Sequence, residues 1–332
     1  MIIVDAMGGD KAPKSIVMGC LDALNEKEGF NVGVIGDKEK IEKIISGQKY
    51  PIDRLKIIPA SQVVGNSDVP TKAFKEKKDS SMVKGISMVK NGEGDVFLSA
   101  GNTGALMTTA LLTLGRIKGV DRPALSFFLP GKNGPVLIID AGANTVCKPE
   151  NFLQFGMMGA IYMKEVFGLD SPKIGLLNVG TENQKGNETI KQAYNLLDEA
   201  DINFVGNVEG REVLSSVCDV VVCDGFVGNV LLKFSEGIAE FFINSLKGIY
   251  KSNFITKISF LIIKKKFKKF FSQIDYKEYG GVPLLGIAGK VMKAHGSSDQ
   301  KAIKNAIFKA VDFAQSNVED LMKQQFSRKD GD

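Results

Sequence analysis

Six times along this chain an apolar run stops abruptly at Gly, Asn or Asp and gives way to a small polar loop. The exits fall at Asp5, Gly101, Asp140, Asn178, Asn207 and Asp224. Short apolar runs bounded by turn residues and followed by helical periodicity describe buried strands alternating with helices, and so a largely parallel sheet. In open sheets of that kind, ligands bind at the carboxyl ends of the strands. Six such exits predict that the carboxyl edge of one sheet is lined with backbone amides and neutral side chains. That surface suits a phosphate-bearing or polyanionic ligand better than a metal or an acid/base pair.

At 332 residues, with 44% hydrophobic and 24% charged residues, the chain has enough apolar material for a large core. Its four cysteines, Cys20, Cys147, Cys218 and Cys223, show no CxxC spacing, and no signal peptide precedes them. Free thiols and a cytoplasmic location are expected. His295 is the only histidine, which argues against a histidine-based metal site. No apolar run approaches the ~18 residues of a membrane span, so the chain is expected to be soluble or surface-bound.

The strongest polar stretch is LLNVGTENQKGNE, residues 176–188. Asn178, Thr181 and Lys185 lie in it, and Lys185 presents a mobile cation to an incoming anion. At the N-terminus, strand Ile2–Val4 runs into Asp5-Ala6-Met7-Gly8-Gly9-Asp10, and a helix is predicted from about Pro13 to Leu24. Paired glycines allow a sharp turn and close approach to a ligand. The loop is not GxGxxG and makes no dinucleotide fingerprint. The run 95–99 ends in SAGNTGA, where Asn102 and Thr103 open an apolar helix. Unpaired N–H groups and the helix dipole there form a phosphate-sized cradle, although the same residues also make a good N-cap. Strand Val136–Ile139 ends in DAGANT, with Asp140 and Asn144, before a helix Phe152–Phe167. Strand Phe204-Val205 is expected to end in Gly206-Asn207, and the run 217–223 to empty into a loop Asp224–Asn229. A closing helix is predicted over about Asp299–Gln324.

The net charge of +5 is unevenly spread. Between Glu240 and Asp275 stand eight lysines and no acidic residue, which leaves −3 for the rest of the chain. A basic character confined to one segment argues against nucleic-acid binding. Leading into that segment and through its start, Leu231, Phe234, Ile238, Phe241/Phe242, Leu246 and Ile249 recur at helical spacing. A second stripe carries Phe260, Ile263, Phe267, Phe270 and Phe271, with lysines on the opposite side. Between them lies an apolar tip, Phe254, Ile255, Ile258, Leu261 and Ile262. An aromatic face backed by lysine is the pattern of a helix that lies on a membrane surface; an acidic protein partner is the other candidate for the same tip.

VDAMGGD, SAGNTGA, DAGAN followed by CKPE, LLNVGTENQKGNE and CDGFVGN stand in register from Met1 to about Ala314. Together they closely resemble the bacterial phosphate acyltransferase (PlsX) family. The resemblance implies phosphorolysis of acyl-acyl carrier protein to acyl phosphate, which feeds a membrane glycerol-3-phosphate acyltransferase in phospholipid synthesis. It implies an α/β fold, three-layer α/β/α with a mostly parallel sheet, similar to isocitrate and isopropylmalate dehydrogenases. A protruding helical pair, 231–274, would serve dimerisation and membrane or partner contact within a single 1–332 catalytic unit. Lys185 and Asn229 are its implied catalytic pair. Lys185 would neutralise the phosphate and the developing oxyanion, and Asn229 would donate an amide hydrogen. Asp5, Gly8, Gly9, Asn102, Thr103, Asp140, Asn144, Asn178, Thr181, Asn207, Asp224 and His295 stand as phosphate or substrate contacts. No metal or organic cofactor is expected. GNSDVPTKAFKEK departs from the family's acidic-Pro-Ala-Arg pattern, with Lys75 where arginine is expected. The alternatives are a phosphotransacetylase acting on a CoA thioester, a dehydrogenase of the same broad fold, and a non-catalytic membrane scaffold. Cys147, with no histidine near it in sequence, is expected to be a small hydrophobe and not an acyl nucleophile.

Overall fold

The computed structural model describes residues 1–251 and 280–327. Eleven described strands join in one sheet: β1 (Ile2–Asp5), β2 (Val32–Gly36), β3 (Leu55–Pro59), β4 (Val96–Ser99), β5 (Ala124–Gly131), β6 (Gly134–Ile139), β7 (Ile174–Asn178), β8 (Phe204–Glu209), β9 (Val220–Val222), β10 (Gly281–Leu285) and β11 (Val291–Ala294). Their spatial order is β3-β2-β1-β4-β11-β10-β5-β6-β9-β7-β8. The wing β3-β2-β1-β4-β11 is parallel, and so is the wing β6-β9-β7-β8. Between them β11–β10, β10–β5 and β5–β6 pair antiparallel. Three reversals turn the second wing against the first. The six strand exits therefore belong to two opposed edges, which corrects the expectation of one.

The helices are α1 (Lys14–Glu26), α2 (Lys38–Ile45), α3 (Pro70–Glu76), α4 (Ser81–Lys90), α5 (Thr103–Leu114), α6 (Pro149–Phe167), α7 (Glu188–Asp198), α8 (Gly225–Lys251), α9 (Gln300–Gln315) and α10 (Val318–Ser327). They cover the sheet on both faces. Along β1, Ile2 and Val4 enter one core with α1, α2, α6, α7, α9 and α10, while Ile3 enters the other with α3, α4 and α5. A strand whose odd and even residues are both buried reads as continuously apolar, which is why β1 is IIVD. Each fully buried aliphatic side chain contributes about 1.5–3 kcal/mol. On the second face the central strands β5 and β10 lie between α5 and the start of α8, and the space over them is the cleft described below.

Local chemistry departs from the sequence reading at three places. The closing helix divides at Ser316, which turns to an extended conformation (φ −79°, ψ 155°). The ammonium of Lys290 satisfies the freed carbonyls of Ala314 and Ser316 at 2.7 and 2.8 Å, so the break leaves few orphan acceptors. Strand β8 does not end at Gly206. A one-residue bulge opposite β7, with Gly206 at φ 91°, lets it continue to Glu209 and puts Asn207 inside the strand. The expected loop Asp224–Asn229 is the first turn of α8, where the Asp224 carboxylate accepts from Val227 N at 2.8 Å.

α8 is the described part of the expected helical pair. Its stripe of Phe234, Ile238, Phe241 and Phe242 is 40–67% exposed. The tip Phe254, Ile255, Ile258, Leu261 and Ile262 and the second aromatic stripe lie outside the described residues. Among the described residues no helix is long and apolar enough to cross a membrane.

Candidate active site

A cleft of about 720 Å³ opens over the central strands. Its apolar floor is built from Leu125, Phe127 and Val282, with Met107 of α5 and Leu232 of α8 on the sides. One end is the β4 exit, Ala100 to Gly104, and the other is the β6 exit, Ala141 to Ala143, with Asn229 beside it. Two opposed strand edges thus contribute to one cavity by meeting across the antiparallel centre.

Asp140 builds the second end. It is fully buried, and its carboxylate accepts from the N–H groups of Leu125 (3.0 Å), Gly142 (3.3 Å), Ala143 (3.2 Å) and Asn144 (2.6 Å). Burial raises its pKa despite those donors, led by Ala143 and Asn144. Asn144 returns its side-chain amide to Asp140 and to Pro123 O, at 2.9 and 2.8 Å. Both side chains are occupied in shaping the loop and are not among the groups lining the cleft. The glycines of CDGFVGN let α8 press against that loop. A Cβ on Gly225 would stand 2.7 Å from Asn144 O, and one on Gly228 only 1.8 Å from Asp140 O. This close approach sets Asn229 next to Gly142, where a Cβ would lie 3.4 Å from the Asn229 Cβ. The Asn229 amide makes no hydrogen bond to another described residue.

The first end is organised in the same way. Buried Asp5 accepts from Ser99 Oγ at 2.7 Å and from Met7 N at 3.0 Å, and burial pushes its carboxyl pKa up. Gly8 fits between the β1 and β4 exits, where a Cβ would meet Gly101 N at 2.6 Å. Asp5, Gly8 and Gly9 hold this end together from behind, whereas Asp10 reaches the cleft. Asn102 caps α5 by accepting from Ala105 N at 3.0 Å, and its amide donates to Asn66 O at 3.0 Å. Its side chain is therefore largely committed, and Thr103 is the exposed polar group of this turn.

The wall near β11 holds a charged group of which sequence reading identified only His295. His295 Nε2 lies 2.9 Å from Glu236 Oε1, and Nδ1 lies 2.8 Å from Ser297 Oγ. Ser297 N also donates to Nδ1, so the network places the proton on Nε2. Burial works against the Glu236 carboxylate, but hydrogen bonds from His295 and Lys233 outweigh it and lower its pKa. Next to them Lys293, 8% exposed, lines the cleft. Its Nζ donates to Ala100 O at 3.3 Å and to Ala294 O. Burial lowers its pKa to about 8, against the opposing fields of Asp10, Asp5 and Glu236. Its only sequence signal is a lysine interrupting the apolar strand VMKA.

Lys185 stands apart from this cleft. It sits half-exposed on the β7–α7 loop, 3.8 Å from Glu182 Oε1. Asn178 donates to Lys185 O at 3.0 Å, and Asn207 donates to Glu182 O at 2.8 Å, so both asparagines tie down this loop from within. Thr181 is exposed on the same loop. None of these four, nor the α8 cap Asp224, is among the residues lining the cleft. Cys147, half-buried, gives its thiol proton to Asn144 O at 3.4 Å. Burial, with Asp140 and Asp224 nearby, pushes its pKa to about 12, which leaves almost no thiolate at neutral pH.

A family model described as "Fatty acid synthesis protein" matches residues 1–321. A phosphate acyltransferase of Acetivibrio thermocellus is 56% identical over 326 residues, 98% of this chain and 96% of that protein. Among solved structures, a phosphotransacetylase from Streptococcus pyogenes superposes with a TM-score of 0.62 at 16% identity, covering 95% of this chain and 94% of its own. A 4-hydroxythreonine-4-phosphate dehydrogenase from Klebsiella pneumoniae gives 0.56 at 14% identity, covering 95% and 99%. At those identities the two structures share the fold alone, and they place the three-layer sheet in the dehydrogenase-like class that the motifs imply. The full-length identity to a named relative is a stronger statement: this chain is an acyltransferase enzyme and belongs to the phosphate acyltransferase family.

Proposed function

We propose that the protein transfers a fatty acyl group from an acyl carrier protein thioester to inorganic phosphate. A phosphate oxygen attacks the thioester carbonyl carbon, and a C–O bond forms as charge moves to the carbonyl oxygen. The tetrahedral intermediate then expels the carrier-protein sulfur, and the proton carried by phosphate passes to the departing thiolate. Acyl phosphate and free carrier-protein thiol are the products. The steps need positioned donors for two oxyanions and no covalent residue.

The observation that carries this reading is the Asn229 amide, unpartnered among the described residues, beside the β6 exit of a cleft with an apolar floor. Asn229 donates to the developing oxyanion, and Leu125, Phe127 and Val282 receive the start of the acyl chain. By resemblance Lys185 supplies charge neutralisation, and for this the loop 179–187 has to carry its ammonium toward the cleft. Asp5, Asp140 and Asn144 position the two ends of the cleft.

The same reading assigns the partners. The chain works as one catalytic unit over 1–332 on the cytoplasmic side, peripheral to the membrane. The exposed stripe of α8 packs against a second copy, and residues 254–262 touch lipid, which delivers acyl phosphate to a membrane glycerol-3-phosphate acyltransferase. The test is release of carrier-protein thiol from palmitoyl carrier protein, with and without phosphate, set beside acetyl-CoA. Phosphate-dependent release from the carrier protein is expected, with a loss of about 10²–10³ in turnover for Asn229→Ala and for Lys185→Ala. Preference for acetyl-CoA supports the phosphotransacetylase alternative, and release that ignores phosphate refutes acyl transfer to it.

A further inference from the structure

Lys293 is the one lysine that is buried among the described residues. It stands on β11 in the middle of the sheet, between β4 and β10, where all four strand residues are buried. Among the described residues no carboxylate lies within 4.0 Å of its Nζ. An ammonium group has three donors, and carbonyls of Ala100 and Ala294 take two of them. Two backbone dipoles do not neutralise a full charge, and a buried ion without a counter-ion is costly. The charge faces the cleft, and the Ala100 carbonyl that holds it belongs to the β4 exit. That exit leads directly to Thr103 and Gly104 in the first turn of α5, whose N–H groups precede the capped Ala105. A cation and helix-terminal donors thus converge on one end of the cleft, across the apolar floor from Asn229.

We propose that Lys293 is the phosphate-holding residue of this cleft, its third N–H donor and its charge taking an oxygen of inorganic phosphate and directing another at the thioester near Asn229. The inference rests on the acyl-transfer reading for its role in turnover, and on the cleft alone for phosphate binding. The surrounding charges are mixed: Asp10 from the β1 exit, Glu236 and Lys233 from α8, His295 just past the end of β11 and Asp5 behind it. They leave a site that accepts an anion only when Lys293 carries its proton. Since that proton is lost near pH 8, phosphate affinity weakens above it. From pH 8 to pH 9 the weakening amounts to about fivefold, over a range in which phosphate itself stays largely the dianion.

Two measurements test this, each on the full chain. Thermal shift with phosphate alone is expected to stabilise the wild type and not Lys293→Met. In the thiol-release assay at saturating acyl carrier protein, Lys293→Met should raise the KM for phosphate about 10²-fold or more while leaving that for the thioester within a few-fold. Lys293→Arg should restore phosphate binding in part and abolish its pH dependence. A folded Lys293→Met with wild-type phosphate KM and thermal shift overturns the assignment. Should that variant fail to fold, phosphate stabilisation of the wild type that is flat from pH 7.5 to 9.5 overturns it equally. A phosphate shift that depends on Lys293, in a protein that releases no thiol, leaves the site standing and removes the acyl-transfer reading.

Discussion

The contact between the first turn of α8 and the Asp140 loop can be tested with the same substitution at two positions of one helix. A Cβ at Gly228 would lie 1.8 Å from the Asp140 carbonyl oxygen and 3.0 Å from Cys223 Sγ, where 3.4 Å is the start of ordinary contact. The oxygen is backbone in a fully buried residue, so Gly228→Ala has to push α8 outward by roughly 1.5 Å. Overpacking of this kind costs about 1–3 kcal/mol. The displacement also moves Asn229 off Gly142, and an error of about 1 Å in a positioned group costs roughly 10²-fold in turnover. At Gly237, farther along the same helix, an added Cβ meets nothing within 4 Å. Glycine in a helix interior gives up about 0.5–1 kcal/mol to alanine, so Gly237→Ala should stabilise by that amount and leave turnover alone. Urea midpoints give both stabilities, and phosphate-dependent thiol release gives turnover. A Gly228→Ala protein as stable and active as Gly237→Ala would show that the helix does not rest on Asp140, and the positioning argument for Asn229 would fall with it.

Three further outcomes follow from the same geometry. Asp140→Ala strands the N–H groups of Leu125, Gly142, Ala143 and Asn144; at about 1–3 kcal/mol for each buried donor left unpaired, discounted for the charge removed, the urea midpoint should fall by the equivalent of several kcal/mol. Cys147→Ser should keep thiol release within a few-fold of wild type, because a thiol pushed to about 12 supplies no nucleophile; a collapse in turnover would point to a covalent intermediate. Lys293→Met should stabilise the phosphate-free protein near pH 7. A lysine whose pKa falls from 10.5 to about 8 on folding disfavours the native state fully below pH 8, and the penalty fades as pH rises from 8 to 10.5. The difference of about 2.5 pKa units corresponds to roughly 3 kcal/mol at most, read as a urea-midpoint gap that closes by about pH 10.5.

The elements were legible where periodicity and chain punctuation agree. Strands such as IIVD and VGVIG announce themselves because both faces are buried, and α2 begins at Lys38 because Asp37 caps it. What the sequence could not convey was strand direction. The reversal of the second wing depends on β10, which enters from the far end of the chain to pair with β5, and local pattern carries no trace of a partner about 160 residues away. The loop reading of DGFVGN failed for a related reason. Two glycines in six residues usually mark a turn, yet here they are what allows a helix to lie against buried backbone.

The same distinction separates the candidate residues. Gly, Asn and Asp at strand exits are enriched both where a ligand is held and where a loop must be folded so that it can hold one, and sequence spacing treats the two alike. Asp5, Asp140, Asn144, Asn178 and Asn207 each make a hydrogen bond that ties neighbouring backbone in place. Asn229 is set apart by having no such commitment. Lys293 escapes sequence reading for the opposite reason: a polar loop or a charge run draws attention to its lysines, and those are solvated. A solitary lysine inside VMKA, flanked by residues that can only be buried, has no solvent to stabilise its charge. The strand retains a residue that costs it stability, and a charge kept at such a cost needs a ligand of opposite sign to account for it.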